Sequence, residues 1–217
     1  MIDLEVLYED NHVIVVYKPA GILSQADITG DTDMLTLVKQ YIKHRYNKEG
    51  NVYVGLVHRL DRMTSGVMVF AKTSKAAMRL TNDIVNHEFY KEYVAVCEGN
   101  IENYDEVTLI NKLEKDEKLN KSFISPNGKE AELTYKVIKN KNNKSLVRVK
   151  LKTGRHHQIR VQMSNIGHPL YGDIKYGSKH KDDLALQAYK LSFYQPVTRE
   201  LLTFSKISYQ GVFAIFK

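Results

Sequence analysis

Six residues able to bind, protonate or attack crowd into eight positions: His58, Arg59, Asp61, Arg62, Thr64 and Ser65, inside the run GLVHRLDRMTSG from Gly55 to Gly66. Asp61 lies between Arg59 and Arg62, and neighbouring cations favour an ionised carboxylate. An ionised carboxylate held in a loop against a core strand can work as a nucleophile or a general base. For a lone Asp beside two Arg residues, a salt bridge or a turn cap is the plainer role. This run is set apart by its density and by the apolar residues directly after it: Val67, Met68, Val69, Phe70 and Ala71. A polar, charged loop feeding straight into an apolar, β-branched run predicts a loop set against a buried strand.

Other elements must frame that loop. Apolar runs at 4–8 and 13–17, with Asp10-Asn11 between them, predict an opening β-hairpin. Lys18-Pro19-Ala20-Gly21 then turns the chain, since Pro19 fixes φ and Gly21 permits a bend. Lys18 can reach a phosphate from there, although a Lys before a Pro turn is usually only solvated. Asp31 to Asn47 predicts a helix, with Asp31, Thr32 and Asp33 as caps and Leu35, Val38 and Ile42 at helical spacing. A second helix is expected from a Ser74 cap to about His87, with Ala77, Leu80 and Ile84 as its stripe. Glu92 to Glu98 predicts a strand with Tyr93, Ala95 and Cys97 on one face.

Residues 100–130 are the least readable. Lys112, Lys115, Lys118 and Lys121 alternate with Glu114, Asp116 and Glu117, which predicts a solvent-facing loop or hairpin. A clearer hairpin comes next, from alternating Ala131, Leu133, Tyr135 and Val137 through KNKNNK to Leu146–Leu151. Beyond Thr153-Gly154 a helix is expected to begin near Arg155, bury Ile159 and Met163, and stop at Gly167. Arg160 lies inside it beside Ile159 and should have an acidic partner, because an unpaired buried charge is expensive. The tail, at 184–193, 201–204 and 212–216, reads as strands.

The chain has 217 residues, of which 43% are hydrophobic and 26% charged, so it can bury a core as one domain over 1–217. No apolar run is long enough to span a bilayer, and the acidic opening MIDLEVLYEDNH lacks a basic, cleavable leader. A cytoplasmic monomer is the expectation. Cys97, the single cysteine, cannot form an internal disulfide and lies in an apolar run, which suits a buried, inert thiol. A formal charge of +7 favours a polyanionic partner.

Four motifs then carry a resemblance. HRLD followed by R-x-T-S-G resembles the catalytic motif of the RluA family of pseudouridine synthases. Lys18-Pro19-Ala20-Gly21 resembles the family's KPAG motif, and Lys91-Glu92-Tyr93-Val94-Ala95-Val96 its K-x-Y-x-A-x motif. Leu151 to Asp173, LKTGRHHQIRVQMSNIGHPLYGD, resembles its last motif. The four occur in the family's order. The resemblance implies an α+β fold: a mixed, mostly antiparallel central β-sheet with flanking helices and an RNA-binding cleft, here without an added N-terminal RNA-binding domain.

The resemblance also implies a reaction. Family members isomerise uridine in ribosomal or transfer RNA to pseudouridine, with no cofactor. Asp61 would be the nucleophile, attacking either C1′ of the ribose or C6 of the base. Arg160 would pair with Asp61. The Tyr93 ring would stack on the uracil, and its hydroxyl would assist removal of the C5 proton. Lys18, His58, Arg59, Arg62, Arg155, His157 and Gln158 fall in the motifs as an RNA-binding set, with Arg59 a candidate to fill the space of a flipped-out base. Small departures, such as His156 where Thr or Ser is common, remove no catalytic group. Two rivals remain. A metal site from His58, Asp61, His156 and His157 matches no common zinc spacing, and nearby Arg residues would repel the cation, so no metal is expected. A non-catalytic RNA-binding protein on the same fold would suit the basic charge, but simple binding does not need Asp61, Tyr93 and Arg160 together.

Overall fold

The computed structural model describes residues 4–217. In chain order the strands are β1 (Val6–Glu9), β2 (Val13–Lys18), β3 (Gly55–Leu56), β4 (Ser65–Ala71), β5 (Tyr90–Glu98), β6 (Val107–Asp116), β7 (Lys121–Ile124), β8 (Lys129–Asn140), β9 (Lys144–Leu151), β10 (Leu186–Tyr194) and β11 (Leu201–Ser205). The helices are α1 (Met34–Arg45), α2 (Ser74–Val85) and α3 (Gln158–Asn165). Among the described residues no helix is long and apolar enough to cross a membrane. The fold is α+β and mostly antiparallel, in accord with the sequence. The chain divides into two compact units, one holding residues up to Tyr90 with Ala188–Lys206, the other Lys91–Gln187 with Ile207–Lys217.

In the first unit β1 and β2 form the expected hairpin, and the Asp10 carboxylate takes the N–H groups of His12 and Val13 in the turn. Strand β4 pairs antiparallel with β2 from Val13–Ala71 to Lys18–Gly66. Val13 to Val16 and Val67 to Ala71 are almost wholly buried. Near-continuous apolar runs of this kind mark strands covered on both faces. Helix α1 starts on Asp33, whose carboxylate accepts from Thr36 N–H at 3.0 Å and Thr36 Oγ1 at 2.7 Å. It buries Met34, Val38 and Ile42, spaced by four. Helix α2 is capped by Thr73, one residue before the expected Ser74: its Oγ1 accepts the Ala76 N–H. Ala76 and Leu80 pack into a core with Val15, Val69, Phe89, Leu191 and Phe193. Gly66 sits at φ +140°, and a Cβ there would lie 2.3 Å from the Ala188 carbonyl oxygen of β10.

The second unit is a run of antiparallel neighbours, β5–β9–β8–β6–β7. KNKNNK closes β8–β9 as a two-residue turn. Asn142 and Asn143 adopt φ 52° and 53°, and Lys141 and Lys144 exchange both backbone bonds. Two successive positive φ values make a type I′ turn, whose twist matches the strands and which Asn tolerates. The mixed-charge stretch is also a hairpin: β6 and β7 pair from Leu113–Ile124 to Asp116–Lys121. Cys97 is buried, and that burial pushes its thiol far up. One expected strand is not found. Residues Gly211–Phe216 form a 3₁₀ helix that buries Phe213 and Phe216. Their spacing of three matches the 3₁₀ turn, where i and i+3 share a face.

Candidate active site

Asp61 lies half-buried in the loop 57–64 that joins β3 to β4. The loop is held on both sides of Asp61. Before it, Ser24 Oγ donates to the Leu60 carbonyl at 2.7 Å and accepts the Leu60 N–H at 3.0 Å. After it, Lys18 Nζ donates to the carbonyls of Arg62 and Thr64 at 2.9 and 2.8 Å, and to that of Pro19 at 3.0 Å. The Gly21 N–H also donates to the Arg62 carbonyl at 2.9 Å, and Arg62 Nε donates back to Gly21 O at 3.0 Å. Asp61 O accepts the Thr64 N–H, closing the turn. His58 anchors the start of the loop, its Nε2 accepting the Val69 N–H of β4 at 3.1 Å.

Lys18 therefore stands corrected as a phosphate ligand. It is 0% exposed, and three carbonyls take the three N–H bonds of an ammonium. Burial pushes its pKa down to about 7, against the pull of the Asp61 charge. The KPAG motif is thus a clamp on the Asp61 loop. His58, His157 and Gln158 are buried too, whereas Arg59, Arg62 and Arg155 are exposed. Arg62 pairs at 2.9 Å with exposed Asp31, and Arg155 Nε donates to Glu130 O.

Gln158 explains why α3 begins later than Arg155. Its Oε1 accepts from Thr153 Oγ1 at 2.8 Å and Arg155 N–H at 2.9 Å, while its Nε2 donates to Glu132 O. That bracing holds 153–157 as a turn, and His157 takes a left-handed φ of 54°. The helix starts only after it.

Arg160 has the acidic partner that burial requires, and it is Asp173. Nε and Nη2 donate to the two carboxylate oxygens at 2.7 and 2.6 Å, with side-chain exposures of 11% and 1%. Bidentate pairs of this geometry are the strong ones. The guanidinium lies over the Tyr176 ring at 4.9 Å. The Tyr176 hydroxyl accepts the Ser122 N–H and contacts His157 Nδ1, each at 2.8 Å. His156 stacks on His157 with ring centres 3.7 Å apart and meets Ser122 Oγ at 2.9 Å. Burial, with the Arg160 charge behind it, pushes His157 down to about 2. Burial, with Lys115 and Arg160, pushes His156 down to about 4. Both rings are neutral at pH 7.

Tyr93 is buried in β5 opposite Val149 of β9. Asp61 belongs to the first unit; Tyr93 and Arg160 belong to the second. Sequence reasoning passed over Asp173 and Tyr176. Asp173 closes the quoted motif, so its position was visible while its role was not. Among the described residues no group of three or more His, Cys, Asp or Glu is placed to hold a metal ion.

A family model described as RNA pseudouridylate synthase matches residues 12–165. The chain is 33% identical over 234 residues to the ribosomal large subunit pseudouridine synthase D of Zymomonas mobilis, covering all of this chain and 73% of that protein. It is 32% identical over 227 residues to the tRNA pseudouridine synthase C of Haemophilus ducreyi, covering 94% and 91%. In fold it is similar to human RNA pseudouridylate synthase domain containing 4, with a TM-score of 0.80 at 21% identity, over 98% of this chain and 92% of that one.

Proposed function

Because the chain belongs to the RNA pseudouridylate synthase family, in its RluA branch, we propose that it isomerises specific uridines of ribosomal or transfer RNA to pseudouridine with Asp61 as nucleophile and no cofactor. The N-glycosidic bond of uridine breaks, the base turns, and C1′ bonds to C5 as the C5 proton leaves. Nothing is oxidised and no group leaves the RNA, so the chemistry calls for no cofactor. One observation carries the assignment of Asp61: its loop is fastened by Ser24 before it and by Lys18 after it. A carboxylate whose backbone is fixed on both sides needs no reordering to attack, which is the gain that orientation provides.

The target uridine must leave its stack first, at a cost of a few kcal/mol. Arg59, two residues before Asp61 and exposed, is the side chain that would fill the vacated position. By the motif resemblance, Arg160 would help to keep the nucleophile charged, and Tyr93 would offer its ring to the base. Exposed Arg59 and Arg62 in the first unit, and exposed Arg155 in the second, each offer a cation for phosphate contacts.

The test is Asp61→Asn on RNA labelled with tritium at uridine C5. The label must reach water when C5 bonds to C1′. Asn has nearly the same shape but no charge, and an amide is a far poorer nucleophile. Tritium release should vanish while RNA affinity and melting temperature stay near the parent. Release at the parent rate would remove Asp61 from the role. A parent that releases no tritium from any cellular RNA would favour RNA binding without catalysis.

A further inference from the structure

We infer that Asp173 and Tyr176 are positioning residues that hold the Arg160 guanidinium in a single orientation for the reaction, an inference that rests on the function proposed above. The two come from one short segment. Ile174–Tyr176 is a single 3₁₀ turn, closed by the Tyr176 N–H on the Asp173 carbonyl at 3.0 Å. With three residues per turn, positions i and i+3 lie on the same side. Asp173 and Tyr176 therefore approach Arg160 together, one through its carboxylate at the Nε–Nη2 edge and one through its ring near Cζ.

Asp173 occupies the Nε–Nη2 edge of the guanidinium through both carboxylate oxygens. Arg160 Cζ lies over the Tyr176 ring, 4.9 Å from its centre, the arrangement in which a ring quadrupole attracts a cation. Two bonds to one carboxylate and a ring against Cζ together restrict the fork to one orientation. The donors that Asp173 does not use are Nη1 and the second N–H of Nη2, which form the opposite, end-on edge. That edge thus points in one defined direction.

Tyr176 is itself pinned. Its hydroxyl meets Ser122 and His157, and its carbonyl accepts from Ser164 Oγ at 2.6 Å. Ser122 lies in β7, so the hairpin of mixed charge, which no motif covers, buttresses the ring. Asp173 and Tyr176 touch no reacting atom; they act through Arg160.

The experiment uses the full chain and the tritium-release assay with cellular RNA, separating kcat from KM, with melting measured alongside. Asp173→Asn keeps the shape and removes the charge. Tyr176→Leu removes the ring. Each should lower kcat at least tenfold, with KM for RNA within about twofold of the parent. Tyr176→Phe keeps the ring beneath the guanidinium and loses the hydroxyl, so it should melt earlier yet return kcat to near the parent value. Should Asp173→Asn fail to fold, Asp173→Glu keeps the charge and displaces it by one methylene, and the same loss in kcat is expected. A merely structural role would lower melting temperatures and leave kcat of the folded variants unchanged, which would overturn the inference. An active parent with fully active Asp173 and Tyr176→Leu variants overturns this inference alone. An inactive parent overturns the proposed function, and this inference with it.

Discussion

Lys18 Nζ and the Arg62 carbonyl lie 2.9 Å apart across 44 residues of sequence. That bond ties the end of β2 to the loop that carries Asp61, and makes a motif lysine a structural donor. Lys18→Met should strip the Pro19 and Thr64 carbonyls of the Lys18 donor and leave the Arg62 carbonyl with the Gly21 N–H alone, at about 1–3 kcal/mol for such a loss. Urea unfolding measures it, and tritium release should fall as the Asp61 loop loosens. RNA binding separates this from a phosphate contact. On single strands log K falls with log salt by about 0.7 for each phosphate neutralised. Lys18→Met should leave that slope unchanged, whereas Arg59→Ala or Arg155→Ala should reduce it. A reduced slope for Lys18→Met would return Lys18 to the RNA surface.

Arg160→Ala should be among the most destabilising substitutions in the second unit. It leaves Asp173, whose side chain is 1% exposed, as a buried carboxylate without its bidentate partner. Breaking one side of a buried pair costs roughly 3–5 kcal/mol. An Arg160→Ala protein as stable and as active as the parent would detach Arg160 from both the core and the reaction.

Gly66→Ala should fail for two separate reasons. A Cβ would meet the Ala188 carbonyl at 2.3 Å, and φ +140° is a backbone state that residues with a side chain rarely adopt. We expect a loss of roughly 3 kcal/mol or more, read from chemical unfolding. A stability within about 1 kcal/mol of the parent would mean that β4 and β10 yield easily at this point.

Acid should weaken the fold through His157. Its pKa in the folded protein is pushed down to about 2, whereas the unfolded chain titrates near 6.5. Below about 6.5 the unfolded state therefore binds a proton that the folded state refuses, and stability falls with pH. The melting temperature should drop between pH 7 and pH 4.5, and His157→Gln should make that drop shallower. An equally steep drop in the variant would assign the acid sensitivity to other groups.

What could be read in the sequence was local. The Asp33 cap, the Asn142-Asn143 turn and the loop against Val67–Ala71 each depend on neighbours within a few positions. The Thr73 cap was missed by one residue because Thr73 and Ser74 both carry a usable hydroxyl. The start of α3 was misplaced because Gln158 borrows Thr153 and Glu132 to hold the turn before it. The inward turn of Lys18 escapes a local reading because two of its three acceptors lie more than forty residues away. The need of Arg160 for an acid was plain from its apolar neighbours. Which acid would answer was set by the 3₁₀ turn just after Gly172, and nothing in the spacing marks that turn.

The close seat of Gly66 against Ala188 has a consequence for how the protein is made. The strand bearing Gly66 and the strand bearing Ala188 are separated by about 120 residues of chain. At roughly 5–20 residues per second on the ribosome, the gap in synthesis is on the order of ten seconds. During that interval the hairpin, the Asp61 loop and β4 can already be assembled, yet β4 lacks the neighbour that covers its edge. An uncovered, apolar strand edge is a template for pairing with another chain. The nascent protein is therefore most exposed to aggregation while its second unit is still being translated, and slow codons between residues 90 and 188 should lower the yield of soluble protein.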